Sequence, residues 1–199
     1  MTTYVIRNGD VLKAARSFNL INCFAHGANC WSVMASGIAK YVAQDFVDIR
    51  QADTLDERSP DQRLGNMSYA YDTQTGVWGF NLYTQFYPGP NARMPSVISS
   101  VQYMFEQVHE IVEAEDSEVV YVGFPAIGCG IGGLDLTKVV IQIHKLAESL
   151  FEDTRRQVVP VFYILEAERF KEDLFELDAS DEDILVLDSE EEVLDAEAS

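Results

Sequence analysis

Hydrophobic residues follow two alternating spacings from the start of the chain to about residue 165. Runs rich in β-branched and aromatic residues predict strands, while apolar residues three or four positions apart predict helices. The predicted strands are residues 3–7, 19–27, 67–72, 77–87, 118–127 and 157–165. The predicted helices are residues 10–18, a segment that starts near Ser36 and carries Ile49, the stripe from Val97 to Val112, and the segment from Leu136 to Leu150. This alternation predicts a three-layer α/β domain with a mixed, largely parallel sheet.

Two strand-to-helix junctions are unusually rich in small residues. They are AHGANCWSVMASGIAKYV (25–42) and GFPAIGCGIGGLDL (123–136), and ligands of such sheets bind beyond the carboxyl ends of the strands. Small residues let backbone N–H groups approach an anion, and a helix start adds unpaired donors. Two such turns on neighbouring strands would clamp a diphosphate from both sides. Neither has the GxxxxGK[ST] spacing of a P-loop, and the second lacks the βαβ unit and acidic residue of a dinucleotide-binding fold.

Acidic residues are concentrated at the C-terminal end. The net charge is −19, and residues 172–199 contain 13 acidic residues and no lysine or arginine. Residues 1–171 hold 20 acidic and 14 basic residues, a net of −6. We therefore divide the chain into a domain of residues 1–170 and an acidic tail of residues 171–199, which is flexible or peripheral. Within the tail, the apolar run 184–187 is predicted to pair with a sheet edge, in this protein or in a protein partner.

Several classes of partner are not expected. The negative charge argues against nonspecific binding to nucleic acid, which needs clustered lysine and arginine. No apolar run reaches the length of a membrane span, and the first residues lack the layout of a secretory signal. Cys23, Cys30 and Cys129 are odd in number and have no CxxC spacing, so we expect reduced thiols and no metal site. These features predict a cytoplasmic protein (in the host cytoplasm, if it is viral) without a cofactor.

Four segments, in this order and at these spacings, together resemble the macro domain family. They are GD (9–10), NCFAHGANC with MASGIA (22–39), FNLYTQ (80–85) and VGFPAIGCGIGGLDL (122–136). The resemblance covers about residues 4–165. It is closest to the branch that contains the ADP-ribose-1''-phosphate phosphatase and the terminal ADP-ribose protein glycohydrolase, and viral and phage macro proteins have a similar HGxNC segment. The resemblance implies a sheet between two helix layers, with ADP-ribose or an ADP-ribose derivative as ligand.

The resemblance also implies the positions of the binding residues. Asp10 would accept a hydrogen bond from the adenine amine, with Val11 beside it, and Phe162 or Tyr163 would approach the adenine. The first diphosphate loop would contain Ser36, Gly37, Ile38 and Ala39. The second would contain Ile127, Gly128, Cys129, Gly130, Ile131 and Gly132.

Three residues are the candidates for catalysis. His26 would act as general acid or base, because an imidazole titrates near neutrality, and Asn29 would contact the distal ribose. Asp135 follows the second loop and is either catalytic or only a helix cap. Two positions depart from the glycohydrolase branch, since Gln85 and Gly132 stand where that branch has lysine and aspartate. In addition, Ala35 replaces a family glycine.

The leading hypothesis for function is an enzyme that hydrolyses an ADP-ribose derivative, above all a phosphatase acting on ADP-ribose-1''-phosphate. The first alternative is a reader or sequestering protein that binds ADP-ribose or another NAD-derived nucleotide without turnover. The second alternative is an ADP-ribosyl-protein hydrolase. Trp31, among small and polar residues, either covers the distal ribose or simply packs.

Overall fold

The computed structural model describes residues 4–17, 21–115, 119–151, 157–165, 167, 170, 172 and 184–187. The strands are β1 (Tyr4–Asn8), β2 (Cys23–Asn29), β3 (Met67–Asp72), β4 (Val77–Gln85), β5 (Val119–Phe124), β6 (Gln157–Ile164) and β7 (Ile184–Leu187). The helices are α1 (Val11–Arg16), α2 (Gly37–Asp45), α3 (Val47–Thr54), α4 (Pro60–Arg63), α5 (Met94–Glu115) and α6 (Leu136–Phe151).

One mixed sheet organises these elements. Its seven strands lie in the order β3-β4-β2-β5-β6-β1-β7, and only β3 pairs antiparallel to its neighbour. The apolar stripes of α5 and α6 pack on one face of the sheet, and residues of α1, α2 and α3 pack on the other. Because both faces are covered, the central strands are apolar on both sides, as in β5. The structure confirms the predicted three-layer fold.

The main differences from the predicted elements are at Phe46 and at the end of β5. The helix expected from Ser36 to Ile49 is divided into α2 and α3 at Phe46, whose backbone leaves helical geometry at φ −129° and ψ 81°. The ring of Phe46 is fully buried, 4.8 Å from the ring of Phe24 between centroids, in the same core cluster as Val42 and Ile49. Strand β5 ends at Phe124 instead of continuing to Ile127, because the next residue is a proline and has no N–H to donate.

The acidic tail contributes the strand β7. It pairs in parallel with β1, with Tyr4 opposite Ile184 and Arg7 opposite Leu187. The apolar run therefore pairs with the edge of this protein's own sheet. The domain boundary near residue 170 stays a prediction, and most of the acidic residues after it lie outside the described residues.

The His144→Phe variant is expected to make stability less sensitive to acid. His144 is buried beside the rings of Tyr4 and Phe162, and this burial lowers its pKa to about 3. The unfolded chain takes up this proton near pH 6.5, and the folded chain only near pH 3. The free energy of unfolding therefore falls as the pH drops from 6.5 towards 3, by about 1.4 kcal/mol per pH unit for each such proton.

Urea unfolding at several pH values between 8 and 4 measures this effect. As the pH falls, the free energy of unfolding should decrease more for the wild type than for His144→Phe. If the free energy of unfolding falls equally with pH in both proteins, His144 is not the cause of the pH dependence.

Candidate functional site

The carboxyl ends of the parallel strands bring the predicted binding residues to one edge of the sheet. Along this edge the order is β1, β6, β5, β2 and β4. Asp10 follows β1, the second loop (residues 125–135) follows β5, the first loop (residues 30–39) follows β2, and a third loop (residues 86–93) follows β4. At about 4.8 Å between neighbouring strands, the distance from β1 to β4 is about 19 Å. An elongated ligand can therefore lie across this edge.

The second loop is a series of turns that needs glycine. Gly128 and Gly133 have φ values of +72° and +83°, and the amide of Leu134 donates to the carbonyl of Gly128 at 3.0 Å. A side chain at Gly132 would place its Cβ 2.3 Å from the Gly128 carbonyl oxygen, so only glycine fits there. A Cβ at Gly130 would instead meet no atom within 4 Å. Gly132 thus closes the loop, while Gly130 lies at its open side.

Backbone donors of two loops are available to a ligand. No amide of Gly130, Ile131 or Gly132 donates to a backbone acceptor among the described residues. At the first loop, the side chain of Ser36 does not cap α2, which leaves the amides of the first helical turn open. The loops face each other, since a Cβ on Gly37 would lie 3.6 Å from Cδ1 of Ile131. Open amides at a helix start and in a facing turn are suited to bind an anion.

Asn29 holds the first loop in shape. Its Oδ1 accepts hydrogen bonds from the amides of Trp31 (3.1 Å) and Val33 (3.2 Å), and its Nδ2 donates to the carbonyl of Val33 at 2.8 Å. The side chain is buried. The structure therefore gives Asn29 the role of supporting the loop backbone, and its predicted contact with a ribose stays a prediction.

His26 lies in the core and not at the surface of the cleft. Its side chain is fully buried in β2, and Nε2 lies 2.7 Å from Oδ1 of Asn81. The amide nitrogen of Asn81 donates to the carbonyl of Ile49 and to the hydroxyl of Ser68, so its oxygen faces Nε2 of His26, while Nδ1 lies 3.2 Å from the carbonyl oxygen of Gly27. Burial lowers the pKa of His26, despite its hydrogen bonds. The structure therefore places His26 in a buried polar network, and its role as general acid or base stays a prediction.

The two aspartates cap helices. Oδ1 of Asp135 accepts from the amide of Lys138 at 3.0 Å at the start of α6, which is the second of the two roles considered for it. Oδ1 of Asp10 accepts from the amide of Leu12 at 2.9 Å, next to the buried side chain of Val11. Both aspartates are exposed. Contact between Asp10 and an adenine stays a prediction.

The two aromatic candidates for the adenine end differ in position. Phe162 is fully buried and stacks on Phe124 in the core, with 5.3 Å between ring centroids, so it cannot reach a ligand at the edge. Tyr163 is on the other face of β6, and its Cδ1 lies 3.8 Å from the position of a Cβ on Gly9. Of the two, Tyr163 is the residue next to Asp10.

Two further loop residues are Cys129, which does not have the lowered pKa of a reactive thiol, and Ala35, which does not have a strained backbone. Burial, with a smaller contribution from the charge of Asp135, raises the pKa of Cys129 to about 12, and its Sγ donates to the carbonyl of Ile127. A raised pKa disfavours the thiolate, so we expect Cys129 to be a thiol at neutral pH. Ala35 has no positive φ, so it does not strain the first loop. Ser32, with φ +54°, is the one non-glycine residue with positive φ in the described part of the chain.

An arginine clamp behind the first loop was not predicted from the sequence. The buried guanidinium of Arg63 donates to Oγ of Ser32 at 2.7 Å and to the carbonyls of Cys30 (3.4 Å), Arg58 (3.2 Å) and Asp56. It thereby joins the first loop to α4 and to the segment before it. The only sequence signal was an arginine inside a polar segment, which is common at protein surfaces.

Over the described ranges, no group of histidine, cysteine, aspartate and glutamate side chains is arranged to hold a metal ion. None of the helices described here is both long enough and apolar enough to span a membrane.

Comparison with solved structures defines the class of the fold. The chain is similar to the macrodomain of Mycobacterium tuberculosis DarG, with a TM-score of 0.60 and 20% identity over 82% of this chain and 97% of the other. It is also similar to the macrodomain of Thermus aquaticus DarG (0.57, 19%, 79% and 96%) and to an Oceanobacillus iheyensis macrodomain mutant with ADPR (0.59, 13%, 86% and 89%). The chain thus has the macrodomain fold.

A relative that is similar in sequence shows the family of the chain. No family model matches the chain. The 17.5 kDa protein of the tk-vs intergenic region of enterobacteria phage T4 is 34% identical over an alignment of 113 residues, and the match covers 54% of this chain and 68% of the phage protein. The chain belongs to the family of this phage protein.

Proposed function

We propose that this protein binds ADP-ribose along the carboxyl edge of its sheet. The observation that carries the proposal is the pair of facing loops with open backbone amides, at Gly37 and at Gly130, after the neighbouring strands β2 and β5. Such donors suit a diphosphate. With the diphosphate there, the adenine would lie towards Asp10 and the distal ribose towards β4. One of the similar solved macrodomains is a structure with ADPR, which supports the choice of ligand.

The charge of the protein is compatible with an anionic ligand because the attraction would be local. The net charge of −19 is mostly that of the tail, and residues 1–171 carry −6. Amides and the start of α2 place partial positive charge directly at the diphosphate, where it acts over a few ångströms. A diffuse negative potential would slow the approach of the ligand more than it would weaken the bound state.

Isothermal titration calorimetry with ADP-ribose tests the proposal. We expect saturable binding with one ligand per chain, and much weaker binding of ribose 5-phosphate, which lacks both the diphosphate and the adenine. Absence of binding at millimolar ADP-ribose would contradict the proposed function.

For turnover, the first candidate reaction is the release of phosphate from ADP-ribose-1''-phosphate, on the motif resemblance described above. The open amides would then stabilise charge on the phosphate oxygens. The second candidate is binding without turnover. One observation supports it: Asn29, His26 and Asp135 are all hydrogen-bonded within the protein in supporting roles. A hydrolase acting on ADP-ribosyl proteins through a lysine has less support, since the residue at the corresponding position is Gln85.

A phosphate-release assay with ADP-ribose-1''-phosphate distinguishes these candidates. Multiple turnovers would support the phosphatase, and tight binding of the same compound without release would support the reader. Gly130→Glu protein is purified in parallel, and loss of the activity in this variant excludes a contaminating phosphatase as its source.

A further inference from the structure

Two exposed aromatic rings lie parallel at the β4 end of the cleft. Trp31 of the first loop and Tyr87 of the third loop are 51% and 58% exposed, their ring planes differ by 9°, and their centroids are 6.1 Å apart. We call them the aromatic pair. Phe86 packs edge-on against both rings from the protein side. Large aromatic side chains held at the surface are a common feature of binding sites.

Hydrogen bonds fix the backbone under both rings. The amide of Trp31 donates to Oδ1 of Asn29 at 3.1 Å. The amide of Tyr87 donates to Oδ1 of Asn91 at 3.1 Å, and its carbonyl accepts from Nδ2 of Asn91 and Nε2 of Gln85 at 2.8 and 3.0 Å. Because the backbone is already ordered, a ring that binds the pair loses little affinity to ordering the loops.

The aromatic pair is continuous with both diphosphate loops. The amide of Cys30 lies 3.2 Å from the carbonyls of Gln85 and Phe86, which joins the first loop to the third. The amide of Ala92 donates to the carbonyl of Gly132 at 3.3 Å, which joins the third loop to the second. Counted along the sheet edge from Asp10, the pair comes after both loops. A group attached to the anomeric carbon of the distal ribose would lie at this position.

We propose that the aromatic pair binds a planar heteroaromatic ring carried by the distal ribose, so that the site prefers a dinucleotide such as NAD⁺ to ADP-ribose itself. This inference rests on the proposed function and names its ligand class more narrowly. Aromatic side chains stack on any flat π-face, and a ring with positive charge gains a further attraction to the face of tryptophan. A tetrahedral phosphate on the same carbon would gain neither interaction.

Calorimetry with ADP-ribose, NAD⁺ and ADP-ribose-1''-phosphate tests this inference. We expect wild-type protein to bind NAD⁺ about tenfold more tightly than ADP-ribose, in line with one stacking interaction. Trp31→Ala and Tyr87→Ala should remove this preference, while Trp31→Phe retains part of it. Tyr103→Ala is the matched control, since Tyr103 is a 47% exposed aromatic residue on α5, and it should keep the full preference.

The outcomes separate this inference from the function on which it rests. Lack of ADP-ribose binding by wild-type protein contradicts the proposed function and the inference with it. Normal ADP-ribose binding without a preference for NAD⁺, or a preference for ADP-ribose-1''-phosphate over NAD⁺, overturns the inference alone. An equal loss of affinity for all three ligands in Trp31→Ala would assign the ring to supporting the first loop and would also overturn it.

Discussion

The Gly130→Glu variant is expected to fold as the wild type does and to lose at least about 100-fold in affinity for ADP-ribose. The α-carbon of Gly130 faces open space, with no atom within 4 Å of an added Cβ and without a positive φ, so the side chain itself is tolerated. The carboxylate would enter the gap between the two loops, where the open amides of Ile131 and Gly132 lie. Loss of two charge-assisted hydrogen bonds, at about 1.5–3 kcal/mol each, is enough for this effect.

Two further variants separate the causes of this loss. Gly130→Ala adds only a methyl group and should bind nearly as well as the wild type, while Gly130→Gln has the bulk of glutamate without its charge and should be intermediate. Thermal unfolding of all three checks that the fold is intact. Wild-type affinity in Gly130→Glu would mean that the second loop does not bind the diphosphate.

The second large effect concerns stability. Arg63→Met is expected to lower the free energy of unfolding by about 3–5 kcal/mol, because it removes one partner of a buried charge cluster. The guanidinium lies 3.7 Å from Oδ2 of Asp56 and 4.0 Å from Oδ1 of Asp53, and both carboxylates have little exposure. Burial already raises the pKa of Asp53, so removing the nearest cation would leave a poorly compensated acid in the interior. Ser32 and Cys30 would lose their hydrogen-bond donor at the same time.

Urea unfolding at neutral pH measures this loss, and Arg50→Met is the control because Arg50 is an exposed arginine on the neighbouring helix α3. The control should stay within about 0.5 kcal/mol of the wild type. Arg63→Lys retains the charge but not the planar fork and should lie between the two. A change in Arg63→Met no larger than that of the control would show that the clamp does not stabilise the fold.

Hydrophobic spacing predicted the elements whose contacts are regular. In α5 and α6 the buried residues recur every three or four positions, and β5 is apolar on both faces, so pattern alone indicated these elements and the three layers. The break at Phe46 could not be predicted, since Val42, Phe46 and Ile49 are spaced as in one continuous helix. In the structure Phe46 packs against the ring of Phe24 on β2, a contact between separate elements that the spacing along one segment does not contain. Pairing of β7 with β1 likewise depends on residues about 180 positions apart.

The candidate site could be predicted in part from the sequence. Gly128 and Gly132 are needed for backbone geometry, and that requirement is visible in the sequence as a glycine-rich turn. The surroundings of His26 depend on Asn81, which is 55 residues away in the chain and adjacent only after β2 and β4 have paired. A histidine at a strand end therefore resembles an exposed catalytic group until the fold is known. Arg63 was missed because its partners Cys30 and Ser32 in the first loop are 33 and 31 residues away in the chain.

Main-chain donors in the middle of the cleft have a consequence for divergence within this fold. A cradle that is made of N–H groups depends on few side-chain identities, apart from the glycines that let the loop turn. Mutations can therefore replace most of the surrounding residues while anion binding persists. Selection for a particular nucleotide would then act on the two ends of the cleft, at Asp10 and at the aromatic pair. On the proposed function, proteins of this fold with low pairwise identity would share the anion cradle and differ in what each one recognises at the ends.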